Sequence, residues 1–486
     1  MLENTKVIIE KLKHETNEIA DIVYREKIIN KTKIHIIYNE PLTSSDKISD
    51  FIIRSLNNIA NKKIPSKELL TVITNDISNF KYDVIDSYER LCFYLHRGFT
   101  IILIEGEKEG LALETKGDIK RGITTPDTEF AVRGAKDSFI EEYQTNIGLI
   151  KKRIKTNDLW IKNLTVGKYT TTQVGILSIN SIVKKELVDI VIKKIEEIDI
   201  DGVINSDYIK NLIENENKNS FPTILTTERP DVVCKSLLEG KVVIMVDNSP
   251  YALILPVVFN DFFKTAEDIY GKSMNVSFTR IIKYMAFFIS LLTPAFYIAI
   301  TTYNQEMIPT DLLDSFANQR DGVPFPAFIE AIIMMISFEI LRESDLRVPN
   351  ASGSALSIVG ALILGDAAVS AGIVSPIMII VIAITAISSL PFSELDFING
   401  IRWYRLLFMI GGAFLGIIGI AIVLIIYLTK VTSTKSFGKP YLMPYAPVSI
   451  NGLKNSFIKM PLSKLNKRRG YLSNNTIKIG GSNEKN

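Results

Sequence analysis

Cysteine and histidine are nearly missing from this chain of 486 residues, and each scarcity removes a class of chemistry. Two cysteines, Cys92 and Cys234, cannot build a disulfide framework and read as small core residues of a protein from a reducing compartment. The three histidines, His14, His35 and His96, have no cysteine or histidine at ligand spacing, so no zinc site is expected. Neither a G-x-x-x-x-G-K-[ST] phosphate loop nor a G-x-G-x-x-G fingerprint occurs, and no Ser, His, Asp set stands out. No cofactor and no enzymatic activity are expected. The first residues, MLENTKVIIEKLKHE, lack the unbroken apolar run of a signal peptide, so the polar half is expected to stay on the side of synthesis.

What the chain does have is a block of membrane-length hydrophobicity between Ile281 and Val431, behind a long polar, globular-looking region. The net charge of +3 hides an asymmetry: from Lys430 onward there are eleven Lys and Arg and one acid, Glu484. Such a tail suits the cytoplasmic side, either against anionic headgroups or solvated.

The polar region reads as two α/β subdomains. Residues 1–30 are charge-rich and read as an amphipathic or loose lead-in. In 31–160, IHIIY is a strand, Ile48, Phe51, Ile52, Leu56 and Ile59 recur at helical spacing, and TIILIEGE with GLALETKG forms a hairpin. In 161–275, QVGILSIN is a buried strand and Leu187, Ile190, Val191, Ile195 and Ile198 form one helix face. KVVIMV and YALILP flank the turn Asp247-Asn248-Ser249-Pro250. A membrane domain over 276–431 and a basic tail over 432–486 complete the expected organisation.

Crossing hydrocarbon takes about 20 apolar residues. Ile281–Tyr303, Ala355–Val374 and Leu406–Leu428 meet that length, and Ile377–Leu390 is a shorter fourth span behind Ser375-Pro376. Ala327–Leu341 carries Glu330 and Glu339, and an acid in mid-bilayer costs about 2.5–3.5 kcal/mol. It reads as a re-entrant or interfacial helix, with the two acids at the membrane interface or as a cation-favouring ring at a channel mouth. The charges around the first span place its start in the cytoplasm. A cytoplasmic tail then requires four crossings, which puts Pro391–Arg405 outside.

The second span holds Gly353, Ser357, Ala361 and Gly365 at four-residue intervals, then Ala368 and Gly372. Small residues so spaced let helices approach closely, and Gly412-x-x-x-Gly416 repeats the device. Either the stripe serves packing within the chain or it lines a narrow path between subunits. Asp366, an acid at mid-span, favours the path.

Longer runs resemble a known family. RGITTPDTEFAVRGAKDSFIEEYQTNIGLIKKRI at 121–154, TERPD at 227–231, EGKVVIMVDNSP at 239–250, EMIPTDLL with GVPFPAFIEA at 306–331, FEILRESDLRVP, IVGALILGDAAVSAGIVSPIMIIVIAITAISS and SFGKPYLMPYAP at 436–447 look like the A subunits of GerA-family spore germinant receptors. The chain departs mildly at Ala135 and Lys136, where the family favours Pro and Arg. The resemblance implies a non-enzymatic subunit in the inner membrane of a bacterial endospore, its large domain and tail cytoplasmic. It also implies a transporter-like B subunit that recognises the nutrient, a lipoprotein C subunit, and self-association into an ion-conducting assembly whose opening starts germination. Membrane lipids are expected contacts and nucleic acid is not.

Within the densest motif, Arg121, Arg133, Asn146 and Arg153 are candidates for contacts between subunits, with solvated or capping roles as the plain alternative. Glu228, Arg229 and Asp231 in TERPD are expected to fix a loop by local pairing. A non-conducting scaffold, coupling a transporter-like partner to cytoplasmic proteins, stays open as the alternative function. An independent transporter is disfavoured by the lack of an inverted repeat.

Overall fold

The computed structural model describes residues 5–16, 20–29, 32–60, 69–76, 82–115, 117, 125–126, 128–129, 131–214, 221–345, 365–453, 455–461, 464 and 468–474. Its polar half contains two five-stranded sheets. The first holds β1 (Ile22–Ile29), β2 (Thr32–Asn39), β3 (Tyr82–Ile85), β4 (Thr100–Ile104) and β5 (Gly110–Leu113) in the order β1-β2-β4-β5-β3. The second holds β6 (Leu159–Val166), β7 (Thr172–Ile179), β8 (Leu225–Thr227), β9 (Val242–Val246) and β10 (Ala252–Leu255) in the order β6-β7-β9-β10-β8. Neighbouring strands are antiparallel throughout.

The two sheets share one topology. In each, a helix leads from the third strand to the fourth, Tyr88–Leu95 in the first and Pro230–Leu238 in the second. Both helices are followed by a glycine in the left-handed region, Gly98 at φ 81° and Gly240 at φ 90°, where a Cβ would be penalised. The central strands TIILI and VVIMV are buried along their whole length because each sheet is covered on both faces. Ile8, Leu12, Leu91 and Leu95 pack on one side of the first sheet, and Ile48, Ile52, Leu56 and Ile59 on the other. This is the α/β class read from the alternation of elements.

Two boundaries differ from the expected ones. Of the two forms expected for the lead-in, the described residues take the amphipathic one and join the first unit: the Thr5–Glu15 helix buries Ile8 and Leu12, and β1 is an edge strand of the first sheet. The signature helix Tyr143–Arg153 belongs to the second unit, because Tyr143, Ile147 and Ile150 face Leu159, Leu177 and Met245 of its sheet. Tyr143 lies so close over β7 that a Cβ on Gly175 would sit 1.9 Å from its hydroxyl. The same helix ties the units together through Lys151, whose Nζ lies 2.8 Å from Asp21 with both side chains buried.

The C-terminal half is a bundle of apolar helices. Among the described residues, Ser273–Thr302 and Leu395–Ser433 are long and apolar enough to cross a membrane, and Pro376–Ile387 is a shorter apolar helix. Leu395–Ser433 is not one straight rod. Gly416 leaves the helical region at φ 57°, ψ −139°, and the Tyr404 and Tyr427 rings approach to 4.8 Å, whereas a straight helix would part them by about 35 Å. A Cβ on Gly411 would lie 2.9 Å from Gly419 O. The expected single span Leu406–Leu428 is therefore a helical hairpin, with glycines where its arms cross.

The hairpin also corrects the placement of Pro391–Arg405. Its first arm runs alongside Ser273–Thr302 in the same direction, as Arg405 Nε donates to Ser290 O at 2.6 Å and Gly416 faces Tyr303. Its second arm returns, bringing Tyr427 within 6.0 Å of Phe221 in the second unit. Phe392 packs against Phe263, so this connection starts on the same side as the α/β units, not opposite them. Ala327–Asp345 packs beside Ser273–Thr302 and Pro376–Ile387, with Glu330 at the far end of the bundle and Glu339 nearer the α/β units, where Arg402 Nη2 reaches it at 3.1 Å.

Candidate functional site

The place where the second α/β unit meets the bundle is built from aromatic rings. Phe397, in the first turn of the hairpin, is fully buried. Its ring centroid lies 5.3 Å from Phe221, 5.7 Å from Phe259, 4.8 Å from Phe262, 5.8 Å from Phe263, 6.0 Å from Phe287 and 5.3 Å from Phe392. Those rings come from the edge of the second unit, the Phe259–Phe263 turn after β10, the first long helix and the connection into the hairpin. Interlocked rings of this kind resist sliding, because moving one repacks the rest. The seam can therefore pass displacement between the two halves.

Charges frame the rings. Lys210 of the second unit donates to Glu394 Oε1 at 3.0 Å and also pairs with Asp396, both at the foot of the hairpin. Burial opposes the Lys210 charge, yet Glu394 and Asp396 hold its ammonium above the ordinary range. On the other flank Asp261 accepts from Lys241 and Lys264 at 2.7 Å and from Arg469 at 2.9 Å. Burial would raise the Asp261 carboxyl, but the three cations outweigh it and hold it well below its usual value. Burial, helped by Arg469, pushes Lys264 down to about 7.

Arg469 brings in the C-terminal tail. Lys459 Nζ donates to Gly271 O at 2.9 Å, Arg468 Nε to Leu238 O at 2.8 Å, and Arg280 Nη1 to Ser456 O at 3.3 Å. These described parts of the tail fold back over the seam, so Lys459, Arg468 and Arg469 are held by protein groups rather than left for headgroups.

The TERPD loop does what local pairing suggests, and more. Arg229 pairs with Asp231 at 2.8 Å and donates to Ala135 O at 2.9 Å. Glu228 takes the amides of Thr128 and Glu129 at 2.7 and 3.0 Å. Tyr270 Oη donates to Asp231 at 2.5 Å, and Glu267 accepts Val132 N at 3.1 Å. The signature loop is thereby clamped between TERPD and the residues leading into the first long helix. Burial pushes Glu129 up to about 7.

The sequence-derived candidates fall in separate places. Arg121, Gly353, Ser357 and Ala361 lie outside the described residues. Arg133 is exposed on the signature loop. Asn146 is fully buried and accepts Ile140 N at 2.8 Å, and Arg153 holds Asp137 at 2.6 and 2.7 Å. Asn146 thus orders its own unit and has no surface to offer a partner. Gly365 is buried, Asp366 is exposed, and Gly372 takes φ 65°. Glu330 has no exposed surface. Among the described residues no group of three or more His, Cys, Asp or Glu could hold a metal ion. Sequence reasoning missed Lys210, Asp261, Lys151 and the Phe397 cluster; the crowding of Phe259, Phe262 and Phe263 just before the hydrophobic block was their one visible sign.

Two α/β units seamed to a bundle of apolar helices, two of them long and apolar enough to cross a membrane, are the architecture of the described residues. The chain belongs to the family described as Bacillus/Clostridium GerA spore germination protein, whose model matches residues 10–471. Spore germination protein KA of Bacillus subtilis (strain 168) is 39% identical over 459 residues, covering 93% of this chain and 84% of that one. Spore germination protein XA of Bacillus anthracis is 34% identical over 452 residues, covering 92% and 88%. The crystal structure of the N-terminal domain of the A subunit of the Bacillus megaterium spore germinant receptor GerK3 is 31% identical, with TM-score 0.41, covering 52% of this chain and 94% of that one.

Proposed function

We propose that this chain is the A-type subunit of a nutrient germinant receptor in the endospore inner membrane. It acts with a transporter-like B subunit, a lipoprotein C subunit and further copies of itself, and it catalyses no reaction. Nutrient binding in a partner shifts the small-residue stripe from Gly353 to Gly372, and a constricted path opens to monovalent cations. The α/β units and the tail lie on the spore-core side.

The observation that carries this reading is the seam. Phe397 and its six aromatic neighbours, with Lys210 against Glu394, make the second unit and the bundle one mechanical body. Asp366 adds support, since an exposed acid on the stripe is left for water or a second copy to meet. The test is Gly365, where a Cβ would lie 3.8 Å from Ile379, room enough for alanine. Gly365→Ala is expected to keep nutrient-triggered cation release and Gly365→Leu to abolish it. Equal release from both variants contradicts the proposal.

A further inference from the structure

Opposite the seam, at the far end of the bundle, lies a contact that the reading above does not use. Glu330 stands in the first turn of Ala327–Asp345 with no exposed surface. Its Oε2 accepts Ser375 N and Ser375 Oγ, each at 2.9 Å, and its Oε1 faces Arg320 Nη2 at 3.3 Å. The buried Tyr297 hydroxyl of the first long helix sits beside the same group without a hydrogen bond of good geometry.

Arg320 and Ser375 belong to two different devices. Ser375 closes the connection between the helical residues 365–370 and the Pro376–Ile387 helix, so it terminates the small-residue stripe. Arg320 ends the outer helix Thr310–Arg320, which buries none of its residues and leaves Leu312 51% exposed. A helix of that length is marginal in water on its own, so its anchors decide where it sits. At its start Asn304 Oδ1 accepts Ile417 N at 3.3 Å. Beyond its end a second contact reinforces Arg320: a Cβ on Gly372 would lie 3.7 Å from Gly322 O, and both glycines have positive φ, 65° and 85°. Positions 320 and 322 of the outer segment thus bear on the end of the stripe, one through Glu330 and one directly on Gly372.

We propose that Glu330 is a positioning residue that latches the outer segment, through Arg320, to the end of the stripe, so that displacing the outer helix displaces Gly372–Ser375. The buried carboxylate holds both partners at once: the Ser375 amide at the helix start and the guanidinium are donors aimed at one acceptor group. A ring acid at a channel mouth would show a carboxylate to water, and Glu330 shows none. The proposal deepens the receptor reading and relies on it only for what moves the outer helix, a partner subunit on that side of the membrane.

The test is hydrogen exchange, read by mass spectrometry, on the purified full chain in lipid nanodiscs. Arg320→Gln is expected to speed amide exchange in 365–375 about tenfold, the equivalent of one lost charge-assisted hydrogen bond, along with exchange in 305–322. Arg320→Lys is expected to restore both, and Gly322→Val, which alters no charge, to disturb 365–375 as well. Faster exchange in 305–322 alone, with 365–375 as in the parent chain, overturns the latch. Glu330→Gln is the direct variant, and should it fail to fold, the Arg320→Gln and Arg320→Lys pair decides the question. Because the readout needs no nutrient, it stands or falls independently of the proposed receptor function.

Discussion

Lys210 Nζ lies 3.0 Å from Glu394 Oε1, the lysine buried and the glutamate nearly so, where the second α/β unit meets the helical bundle. The two residues are far apart in the chain, and one sits in a soluble helix while the other caps a helix of the bundle. Replacing Lys210 leaves the Glu394 carboxylate without its cation in a largely buried setting. Lys210→Met is expected to destabilise the full chain by about 3–5 kcal/mol, and the double variant Lys210→Met, Glu394→Gln to recover much of that. Chemical unfolding of the purified protein measures both, and a Lys210→Met loss within error of zero contradicts the pairing.

Asp261 holds the opposite flank of the seam against Lys241, Lys264 and Arg469. Asp261→Asn keeps the shape and removes the charge, leaving three cations crowded together. The tail is expected to come loose, so limited proteolysis after residue 454 should accelerate while the α/β units stay resistant. Unchanged cleavage of the tail would argue that Arg469 is held by other groups.

His96 of the first unit meets Asn157 at the border with the second. Burial, with Lys151 adding to it, pushes the His96 imidazole down to about 4 from 6.5. A depressed value means the fold favours the neutral ring. Its contribution is therefore complete above 6.5 and is lost as pH falls through 4. Unfolding curves between pH 7 and 4 are expected to fall less steeply for His96→Gln than for the parent chain, the difference isolating this group from the titrating carboxylates.

The hairpin at Gly416 makes an all-or-none prediction. With Cys92 and Cys234 replaced by alanine, Tyr404→Cys and Tyr427→Cys are expected to be joined within one chain by a short bifunctional thiol cross-linker. The rings they replace are 4.8 Å apart, while a continuous helix would separate the positions by about 35 Å. A mobility shift on non-reducing gels reports the outcome.

Much of the α/β half was legible in the sequence because its signals are local. IHIIY, TIILI, GLAL, QVGILSI and VVIMV are short apolar runs bounded by turn formers, and all became strands. β1 escaped notice because IVYREKII is an edge strand whose middle is exposed and charged, so it lacks a buried alternation. The duplicated topology was invisible as well, since it resides in strand order rather than in repeated letters. In the bundle, an unbroken apolar run cannot say whether a helix continues or folds back. Gly412 and Gly416 read as a packing motif, and the reversal shows in the positive φ at Gly416, the close approach of Gly411 to Gly419 and the contact of Tyr404 with Tyr427. The seam residues were missed for a similar reason. Lys210, Asp261 and Glu394 look like ordinary surface charges until tertiary structure buries them together, and Arg469 looked like one of many charges on a solvated tail.

The most direct test of the central claim is monovalent-cation release from spores exposed to candidate nutrients, with the intact gene, its deletion and the Asp366→Leu variant compared. The account predicts that deletion abolishes release for at least one nutrient and that Asp366→Leu changes the rate of that same release. Release that depends on the chain yet ignores Asp366→Leu would contradict a conducting role for the stripe, and release indifferent to deletion for every nutrient would contradict the receptor assignment itself.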